Sequence, residues 1–487
     1  MREAALGIDL GTSQLKALVR APDGTVLGRG RAGYPVAASA GGHAESDPEA
    51  WWRAARSAIR DALASVPGSG IGAVGVTGQM HGAVLTRADG APARPAVLWL
   101  DRRATAEALT YGRLSGELTR PLGNAPVPGM AGPVLRWLAA HESGTVTAAR
   151  WALQPKDWLR FRLTGQAATD PTDASGTLLF DTAAGTWATD LIRALGLPER
   201  LLPEIRDPAA AAPLLPGAAE HLGLRPGIPV AVGASDTAAA LFAARLPGGP
   251  DRLPEDTVLL TLGTGGQWVA PGAARPAVPK LNFFRAVDGT SYHLAPALNV
   301  GSALRWVTET LGASYDDLYA TAARPARDDT PVFRPYLVPE RSDEAAADSA
   351  DAPGPAGATW TGMRLAHTRD DLLRGALEGV ANLLRDRLQD LRAAGHDPRR
   401  VIIGGGGARH EGWRTLLSGT FGLPLDFAED ADWLSAVGAA LLAERAAVQD
   451  PGRPTKRGRG ELARHAHDRS RGENDNRQHG RGEAQGD

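Results

Sequence analysis

Short apolar runs that end in glycine turns alternate along this chain with stretches of helical character, the pattern of an α/β protein. Residues 5–34 read as strand, turn, strand, turn and strand, with the second turn at Pro22-Asp23-Gly24. Asp47-Pro48-Glu49 is a helix start, with Asp47 in the cap position and Pro48 at the first helical position. That helix is expected to run through Trp51, Trp52 and Ala55 to about Val66. The apolar runs 71–77 and 228–232 predict buried strands. They release the strings Gly78-Gln79-Met80-His81-Gly82 and Gly233-Ala234-Ser235-Asp236. Helices are expected over 133–141, 155–163, 237–245, 302–311, 369–393 and 435–447, a strand–turn–strand over 257–270, and a strand over 401–403.

Two of these strand ends are alike. Leu6-Gly7-Ile8-Asp9-Leu10-Gly11-Thr12-Ser13 and Leu260-Thr261-Leu262-Gly263-Thr264-Gly265-Gly266 are each an apolar strand running into a Gly-Thr turn, with another strand after it. Glycine lets backbone N–H groups come close to an anion, and the threonine hydroxyl adds a donor. One such turn in each half implies two lobes that clamp a nucleoside triphosphate, and therefore phosphoryl transfer. The lobes are expected at 1–245 and 246–450. Residues 341–358 lack any large apolar side chain and are expected to be a mobile loop. From 451 to 487 only Leu462 is a large aliphatic, so this stretch is expected to be a disordered polar tail.

Composition narrows the classes. A chain of 487 residues is too long for one ordinary domain, and 43% hydrophobic with 22% charged residues is a globular balance. A net charge of −2 makes no case for nucleic acid or an anionic membrane surface as partner. The absence of cysteine excludes disulfides, zinc thiolates and thiol catalysis. The start leads directly into a strand, and no stretch approaches the ~18 apolar residues of a membrane span. A soluble cytoplasmic protein is expected.

Asp236 sits where a buried strand ends and a helix begins, the place where open α/β sheets bind ligands. A carboxylate there can take a hydroxyl proton while the oxygen attacks a γ-phosphate, or it can serve as a helix N-cap. Asp9, beside the first turn, can hold Mg²⁺ through water or can simply form the turn. The glycines at 404–407 follow an apolar strand, and can let a flat group such as adenine lie on the backbone or can mark a tight turn. Gly301, ahead of the helix that includes Trp306, is equally open. In the first half, Gln79 and His81 offer hydrogen-bonding groups and Met80 an adaptable apolar wall. Trp99 and Asp101, with Arg102 and Arg103, form an aromatic and charged set of the kind that holds sugars. Asp101 and Arg103 can equally be a plain ion pair.

Together these residues resemble the FGGY family of carbohydrate kinases, within the actin-like ATPase superfamily, over roughly residues 5–447. The resemblance is carried by residues 7–13, Asp47-Pro48-Glu49 with Trp51-Trp52, Gly78-Gln79-Met80-His81-Gly82 and Trp99-x-Asp101-x-Arg103. It continues in Gly123-Asn124, Pro128-Gly129, Pro155-Lys156-Asp157-Trp158-Leu159, Thr164-Gly165, Asp170, Asp173, Gly176-Thr177, Leu262-Gly263-Thr264, Leu377-Glu378-Gly379 and Gly405-Gly406-Gly407-Ala408-Arg409 with Trp413. The Gln-Met-His-Gly string belongs to the branch that phosphorylates D-xylulose; glycerol kinases carry an Arg-Glu pair there. The resemblance implies two RNase H-like lobes with ATP and sugar in the cleft between them. It implies transfer of phosphate from ATP to the terminal (5-) hydroxyl of D-xylulose, with another ketopentose or sugar alcohol as the alternative, and a non-catalytic sugar-sensing protein as a more distant one. Asp236 would be the general base and Asp9 would organise Mg²⁺. Gly11, Thr12, Ser13, Gly263 and Thr264 would hold phosphates with Gly301 nearby, and Gly405 and Gly406 would border adenine. Gln79, Met80, His81, Trp99, Asp101 and Thr237 would line the sugar site. Where members of this branch carry Asn after the catalytic Asp, this chain has Thr237, and the second turn has Gly265 where Ser is common. Members are often dimers, so a homodimer is a further expectation.

Overall fold

The computed structural model describes residues 3–39, 41–244, 253–273, 278, 280–324, 327–338, 340, 357–428 and 430–449. The expected lobe boundary at 245/246, nearly all of the polar loop 341–358 and the tail 451–487 lie outside the described residues.

The first half contributes β1 (Ala4–Leu10), β2 (Gln14–Arg20), β3 (Val26–Gly33), α1 (Pro48–Ala62), β4 (Ile71–Gly78), α2 (Pro155–Thr164), α3 (Pro171–Ala174), β5 (Ala211–Pro213), β6 (Pro229–Ala231), β7 (Ala234–Ser235) and α4 (Asp236–Ala243). Its sheet runs β5-β6-β4-β1-β2-β3, with β7 also on β4. The β1-β2-β3 meander is antiparallel, while β4 lies parallel to β1 and β6 parallel to β4. The second half contributes β8 (Thr257–Leu262), β9 (Gly266–Pro271), β10 (Asn282–Arg285), β11 (Ser291–Ala297), α5 (Gly301–Leu311), α6 (Arg369–Ala393), β12 (Arg400–Gly404), β13 (Leu425–Phe427) and α7 (Leu434–Gln449). Its sheet runs β10-β11-β9-β8-β12-β13, again an antiparallel meander on one side of β8 and parallel strands on the other. The two sheets are therefore the same RNase H-like arrangement twice. The β1–β2 and β8–β9 turns occupy equivalent places in them.

Local signals account for most elements. Asp47 accepts a hydrogen bond from the Glu49 amide and Pro48 opens α1, as a capped helix start requires. The helix stops at Ala62, one turn short of the expected Val66, because the chain must turn before Pro67. Its inner face seats Trp51, which contacts Trp158 edge-on at 6.0 Å between ring centroids.

The last helix, α7, comes from the second half yet lies on the first sheet. Ala436 and Ala440 sit over Gly7, and Ala439 over Gly75, so closely that a Cβ on either glycine would collide with helix backbone. Gly438 lies equally close to Ala239 of α4. On the far side, β10 docks onto the first half. Asn124 accepts the Phe283 amide at 2.8 Å and donates to its carbonyl at 2.7 Å, and the Arg285 amide reaches Ser175. Both contacts join the two halves, with a cleft left between the glycine turns. Among the described residues no helix is long and apolar enough to cross a membrane.

Candidate active site

The cleft encloses about 1000 Å³ and is lined from both halves. On one side, Thr12 and Ser13 of the first turn face it. The turn is closed by the Gly11 amide on the Gln14 carbonyl at 3.1 Å, and held from outside by Tyr34, Gln79 and Trp99. Tyr34 and Gln79 donate to the Gly11 carbonyl, and Trp99 Nε1 donates to Thr12 Oγ1 at 3.0 Å. On the other side, residues 263–266 of the second turn line the cleft. Gly301 does not reach the cleft wall; it lies behind this turn, so near the Gly263 carbonyl that a Cβ there would collide with it. The Ser302 amide bonds the Thr264 carbonyl at 2.8 Å.

Asp236 lies between the turns. It is not the helix cap: Ser235 holds that position, its hydroxyl accepting from the Ala238 amide, and Asp236 opens α4. The cap reading of the sequence is corrected by one residue, which frees the Asp236 carboxylate for the cleft. Oδ1 accepts the Thr237 amide at 2.6 Å and the Thr237 hydroxyl at 3.2 Å. Among the described residues Oδ2 accepts no hydrogen bond. Burial and the neighbouring Asp9 charge push the Asp236 carboxyl up to about 7, against the opposing Thr237 bonds and Lys16 charge. Asp9 is buried, and among the described residues its Oδ1 accepts no hydrogen bond. Burial raises its carboxyl too, opposed by Lys16. Lys16 pairs with Asp9 across the β1–β2 ladder, and its Nζ donates to the Asp432 carbonyl at 2.6 Å.

Around one end of the cleft stand Gln79, Met80, His81 and Trp99. Gln79 is 2% exposed, and among the described residues its Oε1 accepts no hydrogen bond. His81 takes the left-handed backbone region at φ 73°, a strained conformation for a side chain of this size. Its Nδ1 lies 2.7 Å from the Gly176 carbonyl and its ring packs on Phe284 of β10. A Cβ on Gly176 would sit 2.9 Å from that Nδ1, so the glycine makes room for the imidazole.

Asp101 reaches the wall of an adjoining pocket of about 100 Å³ shared with His81, Trp99 and Leu298. Both its oxygens are already occupied: Oδ1 by the Arg103 amide and Nε, Oδ2 by the Ala44 amide and the Arg103 guanidinium. Burial would raise this carboxyl, but those bonds outweigh it and hold it below the usual range. It is an ion pair that shapes the pocket, the plainer of its two sequence readings.

At the other end, Gly405 (φ 88°) and Gly406 line the cleft with Ala431 and Leu434. A Cβ on Gly405 would run into the Leu262 carbonyl, so β8 and the glycine turn after β12 approach backbone to backbone. Arg409 forms an ion pair with Asp432 at this rim.

Several lining or supporting residues carried little sequence signal. Lys16 was detectable only as a polar position alternating with buried Leu15 and Ala17 in β2. Gln267 of β9 comes within 3.4 Å of the Thr237 hydroxyl from the other half. Glu340, fully buried, accepts the Leu298 and Asn299 amides and so fixes the segment that leads into α5. Lys156, Asp157, Asp170 and Asp173, singled out only as motif positions, converge into one buried cluster behind Asp236.

Comparison with known proteins agrees with this architecture. The model for the FGGY family of carbohydrate kinases, N-terminal domain, matches residues 4–243, and that for its C-terminal domain matches residues 260–447. The chain is 32% identical over 448 residues to a xylulose kinase of Escherichia coli strain K12, covering 91% of this chain and 90% of that one. Among solved structures it superposes on a "xyloylose kinase" from Brucella ovis with a TM-score of 0.81 at 31% identity, over 91% of this chain and 90% of the other. A xylulose kinase from Rhodospirillum rubrum gives 0.79 at 28% identity, over 92% and 91%. With both family domains matched in order and the two glycine turns facing one cleft, the chain belongs to the FGGY family of carbohydrate kinases.

Proposed function

We propose that this kinase transfers the γ-phosphoryl group of ATP to the terminal hydroxyl of D-xylulose, giving D-xylulose 5-phosphate and ADP. The observation that carries the chemistry is Asp236: a carboxylate in the cleft between two phosphate-type turns, pushed up to about 7, with Oδ2 clear of protein donors. A general base works best with a pKa near the working pH. The sugar specificity rests on the relatives, which are xylulose kinases over nine-tenths of the chain.

The sugar hydroxyl gives its proton to Asp236 Oδ2 as its oxygen forms the new bond to the γ-phosphorus; the bond to the β,γ-bridging oxygen breaks and ADP leaves. Thr12, Ser13, Gly263 and Thr264 offer backbone and hydroxyl donors to phosphate oxygens, and Lys16, on the cleft wall, sets a positive charge near the two carboxylates. Gly405 and Gly406 offer a flat surface for the adenine. Gln79, Met80, His81 and Trp99 surround the sugar, with the unpartnered Gln79 Oε1 ready to accept a hydroxyl. Asp9 suits magnesium: its buried Oδ1 lacks a donor, and Mg²⁺ favours one or two carboxylates plus waters and substrate phosphates. Asp9 would hold the ion, whose positive charge would offset that of the phosphates.

Thr237, in place of the usual Asn, supports a second reading in which another ketopentose or a sugar alcohol is preferred. ADP release with Mg-ATP, measured against D-xylulose, D- and L-ribulose, L-xylulose, glycerol and pentitols, decides between the two. Asp236→Ala in parallel should lower turnover by about 10²–10⁴-fold, the usual contribution of a positioned base. Silence across the panel with sugar binding intact would instead favour a sugar-sensing protein.

A further inference from the structure

The catalytic strand end is held by groups that take no part in the chemistry proposed above. Asp236 follows β7, a two-residue strand that, among the described residues, pairs with β4 and has no strand on its outer edge. The Ser235 amide therefore needs another acceptor. Thr172 supplies it: its buried hydroxyl accepts the Ser235 N–H at 2.9 Å. From the other side, the Thr77 hydroxyl donates to the Ala234 carbonyl at 2.7 Å. Gly233, at φ 88° and pressed on Val76, lets the chain enter this clamp. Ser235 then caps α4, so the backbone of residue 235 sets the direction in which the Asp236 carboxylate leaves it.

Thr172 is itself fixed from below. Its amide donates to Asp170 Oδ2 at 2.8 Å, and the other oxygen of Asp170 lies 3.0 Å from Lys156 Nζ. Lys156 also faces Asp173 at 3.4 Å and pairs with Asp157. Lys156, Asp170, Thr172 and Asp173 are all 0% exposed. Among the described residues, several polar atoms of this cluster, both oxygens of Asp173 included, have no hydrogen bond. Taking so much charge out of water is costly, and an apolar core of the same volume is often as stable or more so. The cluster ends on the residue before the base.

We propose that Thr172 is a positioning residue for Asp236, carrying the rigidity of the Lys156–Asp170 pair through the Ser235 amide to the carboxylate. The proposal rests on the reading of Asp236 as the base. Displacement by about 1 Å of a group so placed can cost on the order of 10²-fold in rate.

The test compares Thr172→Val, which keeps the shape and removes the acceptor, with Thr172→Ser, Thr172→Ala and Asp236→Ala, using D-xylulose and Mg-ATP. Thr172→Val is expected to lose 10- to 100-fold in kcat, with both KM values within about twofold, as for an interaction that matters only in the transition state. Calorimetric sugar stoichiometry should stay at one per chain, which separates this from a partly unfolded preparation, and Thr172→Ser should recover kcat to within about threefold. Thr172→Val at full kcat beside an inactive Asp236→Ala would overturn the positioning role alone. Failure of both Thr172→Val and Thr172→Ala to fold would overturn it in favour of a structural one. Turnover retained by Asp236→Ala would overturn the base assignment, and this proposal with it.

Discussion

Thr237 donates both its amide and its hydroxyl to the same oxygen of Asp236, Oδ1, at 2.6 and 3.2 Å. The pair sets which oxygen is spent on structure and which is not. It also stabilises the charged form, against burial and the Asp9 charge, at a carboxyl that still sits at about 7.

A base must be deprotonated to act, so kcat/KM should fall as pH drops through about 7 in the free enzyme. Thr237→Val removes one of the two donors that lower this carboxyl. The acid limb of its pH–rate profile should therefore move to higher pH, while the melting temperature changes little. A limb that stays in place would mean that another group controls the profile.

Asp9→Asn removes the charge that suits magnesium but keeps the shape. Half-maximal activity should then need at least ten times more Mg²⁺, on the order expected for losing the metal's carboxylate. Because burial raises the native carboxyl and its Oδ1 has no donor, the substitution should leave thermal stability equal or higher. An unchanged magnesium titration would sink the assignment.

Gly301→Ala would drive a methyl into the Gly263 carbonyl behind the second turn, and Gly405→Ala would drive one into Leu262 from a left-handed backbone. Each should strain its turn by about 1–3 kcal/mol. We expect KM for ATP to rise about tenfold, the equivalent of 1.4 kcal/mol, while sugar affinity measured by calorimetry stays at the native value. Equal losses in both would place these glycines in general folding instead.

Lys156→Met leaves Asp157, Asp170 and Asp173 buried without their cation. Removing one side of a buried pair costs about 3–5 kcal/mol, read as a lower urea midpoint. Burial already raises the Asp157 and Asp173 carboxyls. Without the ammonium they rise further above their unfolded values, so the variant is most stable at low pH and loses stability as pH rises. The deficit should be smaller at pH 5 than at pH 8; a deficit independent of pH would point to lost packing alone.

Much of the site was legible because its signals are local. A glycine-threonine turn after an apolar strand, a cap followed by proline, and an acidic residue at a strand-to-helix junction each depend on a few consecutive residues. The backbone choices they dictate were therefore visible at residues 9–13, 47–48, 236 and 263–264. Even there the resolution was one residue: Asp236 and Ser235 are both good caps, and only the observed bond to Ala238 assigns the role to Ser235. Asp101 shows the same limit from the other side. A carboxylate two residues from an arginine can bind sugar or the arginine, and the Ala44 amide that completes the ion pair lies 57 positions away.

What the sequence by itself determined is the repeated strand–turn–strand, the helix starts and the paired Gly-Thr turns. The tertiary structure decided where distant pieces go: α7 onto the first sheet through Gly7, Gly75 and Gly438, the Lys16 charge near both Asp9 and Asp236, and Thr172 under Ser235. Periodicity records that a face is buried but not what covers it. A hydrogen bond across 63 residues, such as that from Ser235 to Thr172, forms only after the sheets have brought both ends together.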